Sequence, residues 1–162
     1  MKLVVAKFGG SAIGIDGVSI PLVIDRINDL KKDSKIIAVF SAPLTVQNGK
    51  KCSLTDVILE QGRNVEKGTK ATLDTVKSCY KKILELVNLE NKKDCQKIID
   101  LFLEKAEKAL DEALEKREFA EEIRSRSLAF SGEILMSHVM NFILKSNGIK
   151  TDAVSYDDWP II

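Results

Sequence analysis

Five consecutive residues near the N-terminus, Lys7-Phe8-Gly9-Gly10-Ser11, join a cation to two unhindered peptides. Two glycines can adopt positive φ and turn consecutive N–H groups into one concave nest, with no Cβ to hold a phosphate away. A helix N-terminus close behind adds positive potential. Lys7 then stands at the C-terminal end of a strand, the edge where open α/β sheets bind ligands. A lysine in an otherwise apolar strand needs a reason, because burying an unpaired ammonium is costly. Either it meets a phosphate, or the turn is a plain glycine turn and the side chain snorkels to water. The segment is neither a Walker A loop, whose lysine follows the glycines, nor a Gly-x-Gly-x-x-Gly turn.

Three further groups could share such a site. Ser41, in Ser41-Ala42-Pro43, ends a second apolar run; its hydroxyl can donate to a phosphate or carboxylate, or cap the following turn. Thr55-Asp56 begins a helical stretch, where a capping role is the plain expectation. Glu133, in Ser131-Gly132-Glu133, falls in the first turn of a helix. There a carboxylate either complements the helix dipole or reaches into a cleft to hold a cationic group. His138, the one histidine, has no cysteine or carboxylate at metal-ligand spacing and is read as structural or surface-lying. Trp159 is read as a packing residue. A single histidine also excludes an arguable Ser-His-Asp arrangement.

The elements that must position these groups follow from periodicity. Leu3 to Phe8 and Ile36 to Phe40 read as strands buried on both faces, hence a parallel sheet covered by helices. Between them Leu22, Val23, Ile24, Ile27 and Leu30 return at helical spacing within 19–32, with Pro21 acceptable in the first turn. This is a βαβ unit. Residues 46–51 form a polar turn punctuated by Asn48-Gly49. From Leu54 to about Arg126 the chain is helix-forming, broken near residues 88–91, and is expected to be an amphipathic helical hairpin. Ile98, Phe102, Ala106, Ala109, Leu110, Ala113 and Leu114 make its stripe, and Glu104–Lys108 and Glu112–Lys116 are favourable i,i+4 pairs. A last helix covers 133–146, Gly148 supplies its stop, and 149–155 resumes strand character. The fold class expected is α/β, an open, mostly parallel sheet flanked by helices, with a long helical segment inserted after the second strand.

Composition bounds the function. The 162 residues, 44% hydrophobic and 30% charged, suit one domain that buries roughly 68–70% of its unfolded surface. A formal charge of +1 provides no basic field for nucleic acid. No apolar run approaches the roughly 20 residues of a membrane helix, and the N-terminus has no signal-peptide pattern. Cys52, Cys79 and Cys95, odd in number and without Cys-x-x-Cys spacing, indicate neither disulfides nor zinc, and so a reducing cytoplasm. The chain finishes as Asp157-Asp158-Trp159-Pro160-Ile161-Ile162, apolar residues where another element is expected to follow.

Taken together, Lys7-Phe8-Gly9-Gly10-Ser11, Ser41-Ala42, Thr55-Asp56 and Ser131-Gly132-Glu133 with Leu135 resemble, in order and spacing, the aspartokinases of the amino-acid kinase superfamily. The resemblance implies transfer of the γ-phosphate of ATP, with Mg²⁺, to the side-chain carboxylate of L-aspartate, the step that opens lysine, threonine and methionine biosynthesis. It implies that Lys7 contacts the transferred phosphoryl group and that Gly9, Gly10 and Ser11 cradle phosphates. Ser41 and Thr55 would lie near aspartate and phosphate, and Glu133 would hold the α-ammonium. The sequence departs from the family pattern at Ala12, at Pro43 with the polar insertion after it, and at Ile134 and Met136. The family's Gly-Arg-Gly-Gly-Ser-Asp segment, most of its nucleotide site and its ACT regulatory domains are missing. Residues 1–162 therefore resemble an N-terminal, substrate-side part, expected to be inactive alone, to form homo-oligomers, and to work with a second chain that supplies the missing half. The alternatives are a non-catalytic partner or regulatory subunit of a split aspartokinase, or a kinase acting on acetylglutamate, UMP or carbamate.

Overall fold

β-branched and aromatic residues after the N-terminus form strand β1 (Lys2–Phe8) in the structure, a computed structural model that describes residues 2–154. The chain turns through a one-turn helix, α1 (Gly10–Ile13), into α2 (Ile20–Lys31), where Pro21 occupies the first turn and leaves no helical N–H unmet. Strand β2 (Ser34–Phe40) returns parallel to β1, in register from Lys2 opposite Ser34 to Phe8 opposite Phe40. The Phe8 and Phe40 rings stack at 5.5 Å and pin the C-terminal ends of both strands together.

The strands are not buried on both faces. Val4, Ala6, Ile36 and Ala38 turn toward the helices, but Leu3, Val5, Ile37 and Val39 on the other face are 40–66% exposed. A continuous apolar run cannot distinguish a covered face from one that no described residue covers.

Asn48 (φ 52°) and Gly49 (φ 74°) make a two-residue turn with both residues left-handed, the geometry that suits hairpin twist. It joins β3 (Leu44–Gln47) and β4 (Lys50–Ser53), an antiparallel pair where only a turn was expected. The helix-forming region is three helices before the last pair rather than a hairpin: α3 (Leu54–Glu66), α4 (Asp74–Leu84) and α5 (Leu89–Lys116). Along α5 the buried seam is Cys95, Ile99, Phe102, Leu103, Ala106, Ala109, Leu110 and Ala113, with Ile98 and Leu114 at its margin. Both foreseen ion pairs form, Lys108–Glu104 at 2.7 Å and Lys116–Glu112 at 2.6 Å.

Helices α6 (Glu121–Ser131) and α7 (Glu133–Ser146) meet at Gly132. Together they form a stretch long and apolar enough for a membrane span, which run-length reading missed, but half of it is buried inside the fold. Leu135, Met136, Val139, Met140 and Ile143 are fully buried, each worth about 1.5–3 kcal/mol of apolar transfer. Gly148 (φ 71°) stops α7 as expected. Residues 149–154 are in no strand, contrary to expectation; Ser155 and Trp159 lie outside the described residues. Cys52, Cys79 and Cys95 are unbridged.

Candidate active site

The parallel register places Lys7 opposite Val39, one residue short of the stacked phenylalanines, so its side chain leaves the sheet at the exposed C-terminal edge. Beyond the rings, Ser41 N–H donates to the Phe8 carbonyl at 3.0 Å, holding Ser41 beside the glycine turn. Lys7 takes part in no ion pair among the described residues. Its side chain is exposed there, where an anion can approach.

The glycine turn differs from the expected nest. Gly9 has φ −71° and ψ 169° and caps α1, and Gly10 starts that helix; neither has positive φ. Ala12 and Ile13 N–H both donate to the Gly9 carbonyl, so the helix's own bonds begin after Gly10 and Ser11. A Cβ on Gly9 would meet nothing within 4 Å, which leaves its flank open. On Gly10 it would come within 2.8 Å of the Ala42 carbonyl oxygen. Gly9 is therefore the approachable peptide, and Gly10 is glycine because the segment after β2 packs against it.

Ala42 also positions the third group. A Cβ on Gly132 would stand 3.2 Å from the Ala42 methyl, so the α6–α7 junction rests on the chain that follows β2. Buried Tyr80, on α4, donates to the Ser131 and Gly132 carbonyls at 3.1 Å. These contacts set Glu133 at the same sheet edge as Lys7 and Ser41, and all three line one cleft of about 1180 Å³. Gly9, Gly10, Ser11 and Thr55 do not line it. Thr55 is not the helix cap either: the Ser53 hydroxyl accepts from Asp56 N–H at 3.0 Å, and the Asp56 carboxylate accepts from Ser53 N–H at 3.2 Å.

The cleft adds residues that the sequence did not single out for chemistry. Ser137 and Asn141 continue from Glu133 at i+4 and i+8 along one line of α7, a spacing visible in the sequence once Glu133 is placed. His138 lies between them and packs its ring 5.0 Å from that of Phe102. Burial, and then the Lys105 ammonium, push the His138 pKa down and favour neutral imidazole. Lys105 itself sits 5.1 Å from the Phe102 ring and 5.4 Å from that of Phe130.

Chemically, the cleft brings the Lys7 ammonium, the Ser41 hydroxyl and the Glu133 carboxylate to the end of a parallel sheet. That set suits a zwitterionic ligand held beside a phosphoryl group. No group of three metal-ligating side chains occurs among the described residues. No curated protein matches the chain. The family model described as the amino acid kinase family matches residues 2–161, nearly the full length. An α/β unit with a parallel strand pair, a long helical insertion and this cleft at the strand ends thus belongs to the amino acid kinase family.

Proposed function

We propose that the chain is the acceptor-side part of an ATP-dependent kinase that phosphorylates the side-chain carboxylate of L-aspartate. The observation that carries this reading is the convergence of Lys7, Ser41 and Glu133 on one cleft from three separate segments. Glu133 pairs with the α-ammonium, and Ser41 donates to a carboxylate oxygen. Lys7 faces the charge that builds on the equatorial oxygens during transfer. An ionised carboxylate oxygen attacks the γ-phosphorus, the bond to the ADP oxygen breaks, and no proton need be moved. Mg²⁺ arrives on the nucleotide's phosphates; it is a hard cation that keeps several waters and needs few protein ligands. Among the described residues Glu133 and Asp152 are the carboxylates on the cleft, and neither belongs there to a group of three metal-ligating side chains.

The uncovered sheet face, with Leu3, Val5, Ile37 and Val39 exposed, supports a further part of this reading. The nucleotide-side half of the enzyme covers that face, and the described residues alone do not turn over.

Calorimetry tests the acceptor assignment without needing the other half. L-aspartate binds the wild-type chain, and Glu133→Ala weakens it about tenfold or more, the loss of one charge-assisted contact. Binding of N-acetylglutamate in preference to aspartate would reject the assignment, since that acid has no free ammonium for Glu133. In enzyme completed with the nucleotide-side half, Lys7→Ala lowers kcat by about two orders of magnitude while leaving aspartate affinity in place. An unchanged kcat would leave Lys7 a surface lysine.

A further inference from the structure

We propose that Ala42 is a spacer between the two walls of the cleft, a positioning residue that selects the acceptor by its length. The inference rests on the reading that Glu133 holds the acceptor's ammonium and Lys7 faces the phosphoryl group. Ala42 is buried and does not itself line the cleft. It touches the backbone behind both walls instead. Its carbonyl oxygen lies against Gly10, where an added Cβ would come within 2.8 Å, and its methyl lies against Gly132, where an added Cβ would stand at 3.2 Å. Gly10 follows Lys7 by three residues, and Gly132 is bonded directly to Glu133. The glycine turn, Ala42 and the α6–α7 junction are thus stacked in that order. Both outer layers lack side chains, so the Ala42 methyl sets how closely they approach.

The middle layer cannot slip out of the stack. Ser41 N–H donates to the Phe8 carbonyl at 3.0 Å and Leu44 N–H to the Gly14 carbonyl at 3.3 Å, so the segment is tied down on both sides of Ala42. The Pro43 carbonyl accepts from Leu54 N–H at 3.2 Å. Pro43 also confines Ala42, the residue before it, to extended conformations. On the far side the junction is pinned by the Tyr80 hydroxyl, whose one proton is shared between the Ser131 and Gly132 carbonyls. A stack closed at both ends responds to a larger middle residue by widening.

The width of this stack is a ruler for the acceptor. One more methylene carries a side-chain carboxylate about 1.25 Å further from the ammonium, the projection of a bond of about 1.5 Å. Valine in place of Ala42 extends that side chain by one such bond, so the two changes match in size. Transfer needs the carboxylate oxygen in near-attack position while the ammonium stays on Glu133, and an error of about 1 Å is costly. Alanine, the smallest residue with a Cβ, holds the walls close. The close setting favours the four-carbon acid over its five-carbon homologue.

Crystal structures and calorimetry of the full chain test the spacer, with L-aspartate and L-glutamate as probes. Wild type binds L-aspartate about tenfold or more tightly than L-glutamate, the effect of one methylene. In Ala42→Val the separation of the Lys7 and Glu133 Cα atoms grows by about 1 Å, and the affinity ratio moves toward L-glutamate by about tenfold. Ala42→Ser extends the side chain by the same single bond with one atom fewer. It shifts both readouts in the same direction and serves where valine prevents folding. A merely structural Ala42 would weaken both acids equally. An unchanged ratio therefore overturns the proposal, as does an unchanged separation or equal affinity for the two acids in wild type. The acceptor assignment is read separately. Wild type that binds neither acid defeats that assignment, and the separation then decides the spacer alone.

Discussion

The sheet and the helical block of this protein are built to different standards of completion. On α7 five consecutive inward positions, Leu135, Met136, Val139, Met140 and Ile143, are wholly buried. On the strands, Leu3 and Val5 are 59% and 66% exposed although their side chains are equally apolar. The cleft lies on the seam between the two, with Lys7 and Ser41 from the sheet and Glu133 from the helices. A site divided in this way has one wall fixed by a finished core and another whose stiffness depends on what later covers it. The wall that carries Glu133 is the preorganised one, and on the proposed reading the wall that carries Lys7 is the one a further half completes.

The largest effect that separates the regions is a cavity. Met140→Ala, in the helical block, lowers stability by about 2–5 kcal/mol. Val5→Thr on the open face changes it by less than about 0.5 kcal/mol. Urea titrations followed by circular dichroism report both values. A Val5→Thr cost as large as that of Met140→Ala would mean the face is covered after all.

A smaller contrast lies within the glycine turn. Gly10→Ala forces a methyl against the Ala42 carbonyl and costs about 1–3 kcal/mol of overpacking. Gly9→Ala meets open space and leaves the unfolding midpoint in place, while its methyl occupies the flank open to a phosphate. Thermal melts of the two variants decide between these roles. Equal destabilisation would show that both glycines are structural.

The same contrast explains what could be read in the sequence. Helix α7 appeared with its true ends, 133–146, because its apolar positions recur every three or four residues and Gly148 ends it. Lys7 and Ser41 were legible at strand ends because polarity breaks two apolar runs there. The open face was not, since Leu3 and Val5 look like core residues and only tertiary structure shows that nothing described covers them. The β3–β4 pair was missed because its strands are four residues each and half polar, so that Asn48-Gly49 showed as a turn without its arms. Thr55 was placed in the site on family resemblance, while the local chemistry of Ser53 and Asp56 made that segment a capping box. The Ser137 and Asn141 positions needed the cleft to be seen, because on a helix their spacing from Glu133 also fits an ordinary solvated face.

One ion pair ties the two regions together, and its pH dependence is the smallest effect and the finest test of the comparison. Asp16, in the connection between β1 and α2, accepts from Lys82 of α4 at 2.6 Å and from Thr45 of β3 at 2.7 Å. Burial alone would raise the Asp16 pKa, but the hydrogen bonds from Lys82, Thr45 and Cys79 outweigh it and hold the carboxyl below its ordinary value. A depressed carboxylate stabilises the fold above the unfolded pKa of about 3.9, and that stabilisation disappears as pH falls through the folded value. Lys82 is more than half exposed, so solvent screening keeps the pair's contribution small. Lys82→Met is therefore less stable than wild type in urea at neutral pH, and the two urea midpoints converge in strong acid, where Asp16 is protonated in both. A gap that persisted there would assign the loss to packing of the lysine stem on α4 rather than to the ion pair.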